Sequence, residues 1–331
     1  MNARRRLIYL VCISTILFGC LPKANSTTPF PATATLPILS TPSVSIAIDS
    51  PTATNIPYIN VVSSTLPAIP TLETGEAISL LQGFLENDQP CQLPCWGRIT
   101  PGKSTVSDAQ KQLAILSSIS DNTFFGQVGD SWTVGTLEIY YPLNNTLVRI
   151  RPGYTALSNN ETVLNVSLRT QSLPQNPSGL VYGDEEYNAL LSAYTMPQIF
   201  TTYGLPNIMY ARADINAAEP TAPDYFIIRL LYLDLGIFIG YTMPMETKEN
   251  TFRFCPSESL INLELTPQDI GSDYQEFFRQ VGLEEWAILP YTTHDQPIED
   301  ALGLTNEEFY QLIISSPATC FESPIDIWPE P

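Results

Sequence analysis

The sequence predicts an α+β protein: two tandem units, each a helix pair packed on an antiparallel sheet, followed by a mostly helical C-terminal extension. Three observations predict it. Some segments repeat apolar residues at the spacing of a helix face, and others alternate apolar and polar residues with period two. The order of the two kinds recurs once along the chain. One apolar and one polar face on each alternating segment is the pattern of an antiparallel sheet covered on a single side.

In chain order, residues 1–19 read as a signal peptide. Arg4, Arg5 and Arg6 precede an apolar run from Leu7 to Phe18, which is too short to span a bilayer core of about 20 helical residues. Leu17-Phe18-Gly19-Cys20 resembles the lipobox of bacterial lipoproteins, which implies that Cys20 is acylated and becomes the mature N-terminus. Two or more acyl chains give stable membrane attachment where one is marginal. Residues 20–73 read as a flexible tether. From Ala24 to Leu72 about half the residues are Ser, Thr or Pro, and the one charge is Asp49. Such a chain has a root-mean-square reach of roughly 40 Å.

The first α+β unit is expected over residues 74–180. Ile78, Leu80, Leu81 and Phe84 mark one face of a helix over Glu76–Leu85, and Val106, Ala109, Leu113 and Leu116 one face of a helix over Thr105–Leu116. Strands are expected over Trp132–Tyr141, Leu147–Arg151 and Val163–Thr170. The second unit, 181–266, repeats the order. Helices are expected over Asp184–Ala193 and Thr195–Tyr203, the latter stopped by Gly204 and Pro206. Strands follow at Ile208–Ala213, Tyr225–Leu233, Gly236–Thr242 and Leu260–Thr266, with a hairpin at Asp234-Leu235. The extension, 267–331, reads as mostly helical, notably Asp269–Gln280 and Asn306–Ile314, with Thr305 as an N-cap.

The repeated helix-helix-plus-sheet pattern resembles the beta-lactamase inhibitor protein and the small outer-membrane assembly lipoproteins that share its repeat. Thr195-Met196-Pro197-Gln198-Ile199-Phe200-Thr201-Thr202-Tyr203-Gly204-Leu205-Pro206 is similar to the short helix ending in Tyr-Gly-x-Pro of such units. Cys91-Gln92-Leu93-Pro94-Cys95-Trp96, with Ile99-Thr100-Pro101-Gly102, is similar to a run in uncharacterised bacterial lipoproteins. The resemblance covers about residues 95 to 266 and implies an architecture and a binding role, with no catalytic residues carried over.

Charge narrows the partners. The chain has 15 basic and 34 acidic residues, net −19; loss of Arg4, Arg5 and Arg6 with the signal peptide leaves 12 minus 34, or −22. A surface this acidic argues against nucleic acid and against anionic lipid head groups, so attachment falls to the acyl chains. Cys91, Cys95, Cys255 and Cys320 remain in the exported body and read as two disulfides. Spacing leaves the three pairings open. The expectation is that Cys91 and Cys95 each reach a distant partner, because a bridge between them closes a very short loop and constrains the unfolded chain least. No second Cys or His pair completes a zinc site, and His294 is the single histidine.

GRITPGKST, residues 97 to 105, matches the phosphate-binding pattern G-x-x-x-x-G-K-[ST]. Pro101 has no N–H to offer a phosphate, and Cys-Gln-Leu-Pro-Cys-Trp precedes the loop where a buried parallel strand is needed. The run reads instead as the start of a helix, with Ser104 or Thr105 as cap and Asp108 near its N-terminus. Leu230–Asp234 imitates a Walker B strand and reads as a buried strand. No nucleotide, cofactor or metal is expected. No G-x-S-x-G elbow accompanies His294. Paired acids at Asp184-Glu185-Glu186, Glu284-Glu285 and Glu307-Glu308 lie near expected helix starts, where acids are favoured anyway. The expectation is no enzyme; the alternative is a secreted carbohydrate-active or hydrolytic enzyme using carboxylates.

One feature points to binding. Arg149, Arg151 and Arg169 share the polar face of the first sheet, near Glu138 and Tyr140. Cross-strand salt bridges account for this arrangement by themselves. Arg and Tyr are also the anchors enriched at protein interfaces. The expectation is therefore a lipid-anchored envelope protein that acts as a protein–protein interaction module, with an envelope protein as partner.

Overall fold

The computed structural model describes residues 71–86, 91–128, 131–144, 146–174, 183–215, 224–268, 270, 276–277 and 295–328. The expected signal peptide, the tether up to residue 70, Glu284-Glu285 and His294 lie outside them, as does all but Ile270, Glu276 and Phe277 of the helix expected over Asp269–Gln280. Residues Ser64–Pro331 form one compact unit.

The first half contributes helices α1 (Thr74–Leu85) and α2 (Val106–Ala114) and strands β1 (Asn122–Val128), β2 (Trp132–Pro142), β3 (Thr146–Leu157) and β4 (Asn165–Pro174). The second contributes α3 (Glu185–Leu190), α4 (Met196–Tyr203), β5 (Ile208–Asp214), β6 (Tyr225–Tyr232), β7 (Ile237–Lys248), β8 (Thr251–Phe254) and β9 (Leu260–Leu265). The strands join into one antiparallel sheet in the order β1-β2-β3-β4-β9-β7-β6-β5. The last strand of each half therefore lies at the centre, and β4 pairs β9 from Val166↔Leu265 to Arg169↔Asn262. The fold is α+β with a large antiparallel sheet and few helices.

Local sequence explains most of these elements. Thr105 caps α2, its hydroxyl accepting the Asp108 N–H at 3.1 Å. Gly204 ends α4 at φ +76°, and Gly236 turns the β6–β7 hairpin at φ +64° after a 3-10 turn at Leu233–Leu235. Helix α1 buries Ala77, Leu81, Phe84 and Leu85 and leaves Ile78 half-buried, one residue round from the expected face. Beyond Ala114 the chain tightens into a 3-10 turn over Ile115–Ile119, which keeps Leu116 fully buried.

One hydrophobic core lies between the helices and one face of the whole sheet. It takes in Leu81 and Phe84 from α1, Leu137 and Ile150 from the first half, and Phe200, Phe226 and Tyr241 from the second. Buried tyrosines tie the halves together. Tyr194 donates its hydroxyl to the Phe84 carbonyl at 2.6 Å, and Tyr241 donates to the Tyr194 carbonyl at 2.9 Å. Tyr187 of α3 accepts the Ile261 N–H at 2.9 Å where β9 meets β4, and burial raises its phenol well above the ordinary range.

The described residues of the C-terminal extension form the helices α5 (Ile298–Leu302) and α6 (Asn306–Ser315) and two short strands, β10 (Gln296–Pro297) and β11 (Phe321–Pro324). β10 extends the sheet beyond β5, and β11 pairs β8. Thr305 caps α6 in a reciprocal box with Glu308, as the sequence signalled.

The β8–β11 pairing also corrects the disulfide expectation. Phe321↔Phe254 are register partners, so their neighbours Cys320 and Cys255 meet, with Cα atoms 4.2 Å apart. Cys91 and Cys95 bridge each other across a turn closed by the Cys95 N–H on the Gln92 carbonyl. Loop entropy alone favoured distant partners. It carries no information on where the chain places each thiol, and that placement decides the pairing.

Candidate functional site

The side of the sheet away from the helices differs between the two halves. At one end of the second half it is apolar and covered: Leu231 and Phe238 are buried there, with Ile208, Ile270 and Phe277 packed on them and Trp132 and Leu164 of the first half at the rim. Farther along β5 and β6 the same side carries Tyr210, Arg212 and Arg229. In the first half it is polar. β2 presents Trp132, Val134, Thr136, Glu138 and Tyr140; β3 presents Arg149, Arg151, Gly153 and Thr155; β4 presents Asn165, Ser167, Arg169 and Gln171. The period-two alternation of β4 puts Asn165, Ser167 and Arg169 together, as the sequence indicated.

The five residues singled out from the sequence share this face, and four of them gather on Glu138 while Arg169 pairs elsewhere. Arg151 donates Nη2 to both Glu138 oxygens, at 3.1 and 3.0 Å, and Arg149 lies 3.6 Å from the same carboxylate. Tyr140 donates its hydroxyl to Glu138 Oε1 at 2.7 Å. Arg149 also donates to the Gln171 side chain. The Tyr140 hydroxyl, followed by the two guanidiniums, holds the Glu138 carboxyl below the usual carboxylate range.

Arg151 and Arg169 are directly opposed across β3 and β4, an arrangement that repels unless each charge is compensated. Glu138 compensates Arg151 on one flank. On the other, Arg169 pairs at 3.2 Å with Glu264 of β9, which also accepts a 2.9 Å hydrogen bond from the Asn165 amide. Glu264 is 2% exposed, and burial raises its pKa against the opposing pull of Arg169 and Asn165. The sequence reading missed Glu264. It stands in an apolar strand 95 residues from Arg169, and only the joining of β4 to β9 brings the two together.

Two hollows lie on this open face and share Arg151 and Arg169 as a common wall. The larger, about 420 Å³, is walled by Val128, Trp132 and Val134 and floored by Thr136, Gly153 and Ser167, which are register neighbours on three strands. The smaller, about 280 Å³, lies among Arg149, Arg151, Arg169, Gln171, Tyr225 and Asn262. Only Nη2 of Arg151 is engaged among the described residues, so Nη1 and Nε remain to donate, and the side chain is 43% exposed. The arrangement can bind an anion and shield an apolar group beside it. Neither hollow was legible in the sequence, because each draws on three or more strands.

The remaining sequence candidates among the described residues have structural roles. The run from Gly97 to Thr105 is a tight loop in which Gly97, Arg98 and Gly102 have positive φ, Ser104 Oγ accepts the Thr100 N–H at 2.9 Å, and Thr105 begins α2. Asp184 caps α3, and Glu307 and Glu308 lie in the first turn of α6. Leu230, Leu231 and Tyr232 are buried in β6. Among the described residues, no group of three His, Cys, Asp or Glu side chains gathers to hold a metal. No family model, curated protein or solved structure matches this chain.

Proposed function

We propose that the protein is a lipid-anchored interaction module of a bacterial cell envelope, exported by residues 1–19, attached through acyl chains on Cys20 and held off the membrane by the tether over 20–73. Its folded body docks a partner protein on the arginine-bearing face of the first half-sheet. One observation carries this reading. In a chain of net charge −19, Arg149, Arg151 and Arg169 gather beside two hollows on the side of the sheet away from the helices. Arg and Tyr are enriched among the residues that dominate interface energetics. The mirrored strand order, with β4 and β9 last in their halves and adjacent at the centre, supports the duplicated helix-pair-and-sheet unit that the sequence resemblance implies.

The test is capture from crosslinked envelopes of cells expressing the full chain, compared with R149E/R151E. Dependence on the two arginines is the expected result. Capture that is equal for both proteins would remove the arginine face from the interaction. A thermal melt guards the comparison: the two pairs to Glu138 are partly exposed, and each is worth about 0.2–1 kcal/mol.

A further inference from the structure

The two hollows differ in chemistry, and the difference has a direction. The larger offers an aromatic and two aliphatic side chains, Trp132, Val128 and Val134, over a floor of uncharged groups. Its floor is open because Gly153 has no side chain; a Cβ there would lie 3.1 Å from the Gly135 carbonyl and 3.3 Å from Ser167 Oγ. At the far wall stand Arg151 and Arg169, and behind them Arg149. Among the described residues Arg149 and Arg151 share the one carboxylate of Glu138, so two guanidiniums stand over a single negative charge. Glu264 is buried and engaged by Arg169 and Asn165, whereas Arg151 is 43% exposed with donors uncommitted among the described residues.

A positive charge beside a low-dielectric wall attracts an anion more strongly than one fully in water. An apolar side chain filling the larger hollow supplies that wall and is itself stabilised by leaving water, at about 25 cal/mol per Å². A carboxylate and an apolar group on one ligand therefore reinforce each other here. A cationic ligand would meet Arg151 first.

We propose that the paired hollows recognise a partner polypeptide by an apolar side chain followed directly by an acidic one, the apolar group seated against Trp132 and Val134 and the carboxylate held by Arg151. The proposal rests on the reading of this face as the docking surface and names what the partner presents to it. Arg151 suits the task because its uncommitted N–H groups can give a carboxylate charge-assisted hydrogen bonds. Arg149, which shares Glu138 with Arg151, sets the sign of the site without making the contact.

The probes are three capped tetrapeptides: acetyl-Gly-Phe-Asp-Gly-amide, its Asn counterpart, and acetyl-Gly-Ala-Asp-Gly-amide. Binding is read by ¹H–¹⁵N NMR on the oxidised compact unit Ser64–Pro331, at the Trp132 indole N–H and the Gly153 and Ser167 amides. The Phe-Asp peptide is expected to shift all three saturably, and the Asn and Ala peptides to bind at least fivefold more weakly. R151Q should bind the Asp and Asn peptides equally, while R151K should keep part of the preference. Equal affinity for Asp and Asn peptides in the unaltered protein, or shifts confined to other surfaces, overturns the proposal. So does the absence of shifts at millimolar Phe-Asp peptide. Capture that depends on Arg149 and Arg151 without peptide binding rejects this ligand and retains the docking face. Peptide binding with capture indifferent to the arginines retains the ligand and rejects that face as the docking surface.

Discussion

The two disulfides close loops of very different size, and their removal should cost accordingly. Cys255–Cys320 spans 65 residues of sequence, and Cys91–Cys95 spans 4. If a bridge acts mainly by restricting the unfolded chain, the long one is worth about 4 kcal/mol and the short one about 2. Against a total stability of about 5–15 kcal/mol, the first is a large share. C255S/C320S should therefore show the larger fall in urea midpoint, and a Tm lower by about 10 °C. Intrinsic tryptophan fluorescence suits the assay, because Trp328 is 5% exposed and packs edge-on to Phe226, four residues past the strand that this disulfide anchors. Loss of the bridge should also let β11 open locally, so Trp328 should become quenchable at urea concentrations where the rest of the body is folded. C91S/C95S should leave Trp328 protected. If the short-loop variant loses as much stability as the long-loop variant, the chain-entropy argument is wrong for this protein.

Three further outcomes follow from the structure. G236A should destabilise by more than about 2 kcal/mol, because positive φ is combined with a Cβ 2.3 Å from the Thr266 carbonyl; G303A, at φ +66° with nothing within 4 Å, should cost only about 1 kcal/mol in the same urea titration. Glu138 and Glu264 should bend the stability–pH curve in opposite senses. The lowered pKa of Glu138 gives stability that is present above the ordinary carboxylate range and lost as pH falls through its folded value; the raised pKa of Glu264 gives stability that is present below that range and lost as pH rises through its folded value. E138Q should thus flatten the acid side of a Tm–pH series and E264Q the side above the ordinary carboxylate pKa, and the reverse assignment would contradict the burial argument. C20S should move the full chain from the detergent phase to the aqueous phase in a Triton X-114 partition, and its retention in detergent would contradict acylation at that residue.

Elements whose signals are local were legible in the sequence. The Thr105 and Thr305 caps, the Gly204 stop and the Gly236 hairpin depend on a few adjacent residues, and each stands where those residues put it. Alternation in β4 grouped Arg169 with Ser167 and Asn165 before any partner strand was known. Misreadings occurred where local cues competed with pairing. The strand expected over Leu147–Arg151 continues to Leu157 in β3; the ladder to β2 lapses around Pro152 and resumes in the same register at Thr136↔Gly153. β1 escaped notice because its alternation is weak: Phe124 is 43% exposed and its neighbour Phe125, which packs on the core, is only half-buried. β8 and β11 are four residues each, and their pairing joins segments far apart in the chain.

The location of the arginine cluster follows from the same distinction. A sheet with helices on one face leaves the other face to water unless something else covers it. Here Ile270 and Phe277 pack over Leu231 and Phe238, with Trp132 and Leu164 at the rim of that patch. Arg169 and Glu264 pair across the β4–β9 seam. Glu264 is buried, so desolvation penalises its charge while Arg169 and Asn165 support it. Arg151 is 43% exposed and lies directly opposite Arg169. Removing Glu264's charge would therefore leave Arg169 less compensated and raise the positive potential that Arg151 presents to solvent. E264Q should strengthen binding of the Phe-Asp peptide and leave the Phe-Asn peptide unchanged, whereas E138Q, which frees Arg151 itself, should strengthen it more. An equal effect of both variants on the two peptides would mean that the charges at the seam position the strands and take no part in recognition.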